Sequence, residues 1–204
     1  MTITIVLVTT FISILAFYLD EVMSKFIFNP YQVYYRKEIW RVITHAFLHA
    51  DWIHLAINML VLYSFGRNVE SWMEELKNAG YIHSPILVFS LLYFGGIIAS
   101  SLITLIRYRK NYHYNSVGAS GAVSAVVFTS IFFSPLNKIY FFGAIPIPGI
   151  VFAILYLIYS SYMSRRSRDN INHDAHFAGA VYGFIFPILI DLKLLSHFIN
   201  EFSF

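Results

Sequence analysis

An all-α, polytopic membrane protein, a bundle of six transmembrane helices, is the fold class this sequence predicts, and three observations predict it. Of 204 residues, 58% are hydrophobic and only 12% are charged, too little polar surface for a water-soluble domain. The apolar residues fall in runs of about 17 to 25, the length a helix needs to cross the hydrocarbon core. Short loops holding most of the Lys, Arg and Pro separate those runs. Cysteine is absent, which excludes a disulfide framework, a thiolate metal site and a thiol nucleophile. The net charge of +3 is distributed between apolar runs rather than along one face, so it reads as a topology signal and not as a nucleic-acid surface.

Taken in order, the six spans cover about residues 2–19, 52–69, 84–106, 116–134, 149–163 and 172–190, within a single domain of residues 1–204. The first lacks a basic leader and a small-residue cleavage site before Asp20-Glu21, so it reads as a retained span. Between spans one and two, residues 20–51 hold Tyr31, Tyr34, Tyr35 and Trp40. A structureless loop of that length is uncommon, and the aromatics suit a folded element in the membrane interface. Span two carries His54, Asn58 and Ser64, and span six carries His173, Asp174 and His176. Polar groups at that depth are costly, so both spans should face the bundle interior. The segment from Phe141 to Gly149 contains Pro146 and Pro148 and predicts a turn between spans four and five.

Ser120 lies in Gly118-Ala119-Ser120-Gly121, inside an otherwise apolar run. A serine hydroxyl is a poor nucleophile until a histidine within reach accepts its proton, and His176 is the candidate base. Gly118 and Gly121 flank the serine, while His173, His176, Ala180 and Gly183 share one helix face with Gly179 beside it. Small residues on both helices permit the close approach that a short side chain such as serine requires. His54 and Asn58, four apart and therefore on one face, are candidate oxyanion donors, together with the Ser120 amide if a helix begins near it. Asn115 and Ser116 would then lie near the start of that helix.

Other polar residues read as structural. His45 and His49 have metal-like spacing with His54 nearby, but no HExxH or helical carboxylate accompanies them, so no metal or cofactor is expected. Asp174 is two residues from His176 and faces another direction, which argues for a Ser-His dyad over a triad. Trp40, Arg41 and Glu70 are read as interface anchors or members of an internal ion pair.

In their order, Trp40-Arg41, His54-x-x-x-Asn58, Gly118-x-Ser120-Gly121, the Pro146/Pro148 turn and His173-x-x-His176-x-x-Gly179-x-x-x-Gly183 resemble the rhomboid family of intramembrane serine proteases. The resemblance implies a six-helix bundle, a Ser120-His176 dyad, and an oxyanion site of His54, Asn58 and the Ser120 amide. It implies cleavage of transmembrane segments of other proteins in the lipid bilayer, and a bacterial cytoplasmic membrane as the location. Where the family often places an aromatic residue, four positions after the nucleophile, this chain has Ser124. Support for His176 is then expected from Tyr182 or a nearby phenylalanine. The loops after spans one, three and five carry ten basic residues, and the end of span two, the remaining loops and the tail carry four. That is the reverse of the positive-inside expectation for the bacterial family topology, which places the N-terminus in the cytoplasm. Two other readings of the intramembrane histidines are a non-proteolytic rhomboid-like protein that holds membrane clients and a proton or ion pathway.

Overall fold

A computed structural model describes residues 1–141, 144–166 and 171–203. Phe142 and Gly143 of the expected turn, and Arg168 of the fifth loop, lie outside the described residues. The long helices are α1 (Thr2–Tyr18), α5 (Trp52–Asn78), α6 (Pro85–Tyr108), α7 (Ser120–Phe133), α8 (Gly149–Arg166) and α9 (His173–Ile190). The connection between α1 and α5 is folded into α2 (Asp20–Phe26), α3 (Pro30–Arg36), α4 (Arg41–Thr44) and a 3-10 turn, His45–Phe47. A short α10 (Lys193–Asn200) closes the described chain; it was not expected from the sequence.

The distribution of side chains is that of a protein solvated by lipid. Leu7, Phe11, Ile57, Leu60, Ile106, Ile154, Ile158 and Leu189 project outward, whereas Thr9, Ser13, Ser100, Ser101, Thr104, Thr129 and Ser160 are buried. Each of the six expected segments contains a helix, but length and composition do not by themselves confirm six spans. Among the described residues, α6 and α9 are each long and apolar enough to cross a membrane alone. The α1/α2 pair, bent by 119°, and the α4-to-α5 pair, bent by 95°, pass that test only when each pair is taken together. With 14 residues, α7 rises only about 21 Å, less than the ~30 Å hydrocarbon core.

Every residue of α7 after Ser120 is buried, because the helix sits at the centre, against α9, α6 and α5. It begins at Ser120 and not near residue 116, because Gly118 takes φ +115° and interrupts the helical path. The α7 and α9 helices run in the same direction. A Cβ at Gly179 would strike the Gly121 backbone, and one at Gly183 would strike the Ala125 backbone, so the two glycine positions advance in step with α7. The contact is locked by a hydrogen bond whose cause is readable in the chain. Pro187 lies inside α9 and has no N–H to offer the Gly183 carbonyl four residues earlier. Buried Thr129 of α7 donates its hydroxyl to that carbonyl at 2.7 Å instead.

In place of the simple turn expected between α7 and α8, the chain forms a hairpin, β1 (Lys138–Phe141) with β2 (Ile145–Pro148). Pro146 and Pro148 are two apart, so their missing N–H groups fall on one side of the strand, the side a two-stranded ribbon leaves without a partner. The hairpin follows the C-terminus of α7, at the opposite end of that helix from Ser120.

Candidate active site

Three helices present their first turns to one face of the bundle. His54 is the third residue of α5, Ser120 the first of α7, and His176 the fourth of α9. The segment before Ser120 is held from several directions. The Gly118 amide donates to the His45 carbonyl at 3.0 Å, and Phe28 and Ser116 exchange two backbone hydrogen bonds of 3.0 Å. The interfacial element between α1 and α5 therefore fixes the approach to α7. A Cβ on Gly118 would lie 2.8 Å from His54 Cε1 and 3.0 Å from its Nε2. Glycine at this position is required twice, for its positive φ and to admit the His54 ring.

The N-terminus of α7 carries no side-chain cap. Its first amides, including that of Ser120, lack an intrahelical acceptor and supply partial positive charge at the serine. Asn58 is buried, and one of its two amide protons is used on the His54 carbonyl at 2.9 Å. Ser120 and His176 are each half-buried, brought to adjacent turns by the Gly121–Gly179 approach. A Cβ on Gly121 would also collide with Ser100 and lie 3.3 Å from the Ala175 carbonyl, one residue before the histidine. Beside Ser120 is a polar cavity, lined by His45, Ser100, Ser101, Thr104, Ser116 and Asn172 among others, with room for about one water molecule.

The start of α9 is organised by Asn172, which the sequence reading passed over. Its side chain accepts from the Ala175 amide at 3.1 Å as an N-cap, while Nδ2 donates to Thr104 Oγ1 at 3.0 Å and Ser116 Oγ at 3.3 Å. One residue thus ties the histidine helix, α6 and the approach to the serine. Its signal was available, since Asn is a preferred residue immediately before a helix. Asp174 is engaged away from Ser120: both its oxygens accept from Arg107, at 2.8 and 2.6 Å, and it pairs with Ser164.

Two expectations about supporting residues are corrected. Tyr182 does not support His176; its hydroxyl donates to the Leu91 carbonyl at 3.0 Å and its ring covers Gly95 on α6. The ring stacked on His176 belongs to Tyr156 of α8, with centroids 6.3 Å apart and planes inclined by 19°, while His173 meets the His176 ring edge-on at 5.9 Å. Nor do Arg41 and Glu70 pair. Buried Arg41 binds Glu38 at 2.5 Å and donates to the Ser24 and Ile27 carbonyls at 2.9 and 2.8 Å, holding the interfacial element together. Glu70 accepts from the Thr2 amide at 2.7 Å and from Arg67 at 3.0 Å. Trp40 is exposed at 46%, as an interface anchor would be.

Burial pushes the imidazole of His45, in the interfacial element, down to about 4, against smaller opposing effects of backbone hydrogen bonds at Arg41 and Val42. Its Nδ1 lies 2.9 Å from the Arg41 carbonyl, which can only accept, so the proton is on Nδ1. Among the described residues, no group of three or more His, Cys, Asp or Glu side chains is placed to hold a metal ion.

Comparison with known proteins gives this arrangement its family. The chain is 29% identical over 154 residues to RHOMBOID-like protein 12, mitochondrial, of Arabidopsis thaliana, covering 68% of this chain and 43% of the relative. It is 28% identical over 186 residues to Rhomboid-like protein 11, chloroplastic, of the same plant, covering 85% and 59%. It is 29% identical over 161 residues to Rhomboid protease GluP of Bacillus subtilis, covering 79% and 28%. The chain spans about half the length of the first two relatives. These relatives are mitochondrial, chloroplastic and bacterial, so the expected bacterial location has no support from them. The Rhomboid domain matches residues 36–192, a stretch containing the interfacial element from Arg36 onward, His54, Ser120 and His176, and the chain belongs to the rhomboid family.

Proposed function

We propose that this chain is an intramembrane serine endopeptidase that hydrolyses peptide bonds in or near transmembrane segments of other membrane proteins. The observation that carries the reading is the backbone-to-backbone approach of Gly121 and Gly179, which sets the first turns of α7 and α9 side by side with a serine on one and a histidine on the other. His176 takes the proton from Ser120 Oγ as that oxygen attacks the substrate carbonyl, then delivers it to the departing amine. The oxyanion meets the Ser120 amide at the uncapped helix start, His54, and the remaining amide proton of Asn58. Water then releases the acyl group, and the small polar cavity beside Ser120 favours a supply of it inside the bundle. The shortness of α7, 14 residues against the roughly 20 that span the hydrocarbon core, is compatible with a reaction below the membrane surface.

The test is labelling by a fluorophosphonate probe in detergent, followed by cleavage of a helical reporter in liposomes. Label is expected on Ser120, and both labelling and cleavage should be lost in Ser120→Ala and His176→Ala. Full cleavage by Ser120→Ala would overturn the reading. Client capture unaffected by either substitution, with no turnover, would replace it with a holding function.

A further inference from the structure

We infer that Tyr156 of α8, anchored by Ser124 of α7, is the positioning residue for the His176 imidazole. Ser124 lies one turn after Ser120, on the same face of α7. Its buried hydroxyl is 2.6 Å from the Tyr156 hydroxyl, close for an O–H···O bond. The phenol ring is held on its other sides by Phe128, at 5.5 Å between centroids, and Phe152, at 5.7 Å. Its face meets the His176 ring at 6.3 Å and 19°, an offset-stacked arrangement. The imidazole is therefore backed by a ring that a neighbouring helix supplies and that the serine helix holds in place.

The consequence is a three-helix connection. An aromatic residue at position 124 would reach the histidine from α7 itself. A serine there is too short, but it can grip a tyrosine arriving from α8. Ser124 is thus not a lost support; it transfers the stacked support to α8, so that the docking of α8 against α7 bears on the orientation of His176. A base held within about 1 Å of its productive place works, and one released from it loses rate steeply.

This inference rests on the acyl-transfer reading, and the experiment separates the two. Full-length protein in detergent is treated with a fluorophosphonate, and the rate of Ser120 labelling per folded molecule is followed from acid to alkaline pH. Tyr156→Leu should label about 10-fold more slowly, with a changed pH profile. Tyr156→Phe keeps the ring and loses the anchor, and Ser124→Ala loses the same anchor from the other side, so each should slow labelling about 2-fold to 3-fold. Combined, they should be no worse than either alone, because both delete one interaction. Unchanged rate and profile in Tyr156→Leu would overturn the positioning role. Additive losses in the double variant would overturn the anchoring role, a result that stands even if the leucine variant does not fold. If parent protein fails to label at Ser120, or labels equally after His176→Ala, the acyl-transfer reading itself falls and this proposal with it.

Discussion

Gly179→Ala is the most direct perturbation of the site that leaves every reactive group in place. A Cβ at that position falls 2.7 Å from the Gly121 carbonyl carbon and 3.0 Å from its Cα, and it collides with the Gly121 oxygen. Comfortable contact between carbons begins near ~3.5 Å, so α7 and α9 must part by roughly 0.5–1 Å at the turns that carry Ser120 and His176. The obstructing atoms are backbone inside a helix, so no side chain can swing aside. Overpacking of this kind costs about 1–3 kcal/mol of stability, while displacement of reacting groups by ~1 Å costs about 100-fold in rate. Cleavage of a helical reporter in liposomes should therefore fall far more than the thermal midpoint suggests. Gly80→Ala is the control: its φ of +81° makes alanine strained, yet no atom lies within 4 Å of the added Cβ, so it should lose some stability and retain cleavage. Wild-type cleavage by Gly179→Ala would refute the proposal that close backbone approach assembles a Ser120-His176 dyad.

Thr129→Val removes the hydroxyl that serves the Gly183 carbonyl with almost no change in side-chain volume; stranding that buried acceptor should cost about 1–3 kcal/mol, read as a lower unfolding midpoint in detergent. In the same protein, Pro187→Ala should recover part of the loss, because an N–H becomes available to that carbonyl. Asn172→Ala should lose about 1 kcal/mol with the N-cap and slow reporter cleavage. Asn172→Asp should keep the cap yet still slow cleavage, since Nδ2 no longer bridges Thr104 and Ser116; parent-level cleavage by Asn172→Asp would exclude the bridge. Acidification should weaken the interfacial element through His45. Its folded pKa of about 4 is below the ordinary 6.5, so the neutral form is favoured and its contribution is complete above about 6.5. That contribution falls as pH drops through 6.5 towards 4, by about 2 kcal/mol at pH 5. His45→Gln should flatten the fall in thermal midpoint between pH 7 and pH 5, and an unchanged slope would assign the effect to other groups.

Which residues were legible in the chain follows from how local their signals are. His54-x-x-x-Asn58, Gly118-x-Ser120-Gly121 and His176-x-x-Gly179-x-x-x-Gly183 stand out because polar residues and glycines are anomalous in apolar runs, and helical spacing says which of them share a face. That the connection between α1 and α5 is folded could be read from its length and aromatic content. The hairpin was not, because proline two residues apart signals a turn more strongly than it signals a strand with one unpaired side. The short α10 has too few residues to stand out from a tail. Tyr156 lies in a helix with Tyr159 and Tyr162 nearby, and nothing in that run distinguishes the ring that meets His176 from those that face lipid.

The sequence by itself determined that the chain is helical and lipid-solvated, and which serine, histidines and glycines are out of place in such a chain. Those properties depend on composition and on spacing along one helix. The tertiary structure alone decided that α7 starts at Ser120, that Thr129 answers the carbonyl left open by Pro187, that Asn172 joins α9 to α6 and Ser116, and that Tyr156 rather than Tyr182 backs His176. Each of these depends on which helices meet and at what height. Packing between helices that all present similar apolar faces to one another is settled by backbone approach distances and unpaired polar groups, which only the assembled bundle reveals.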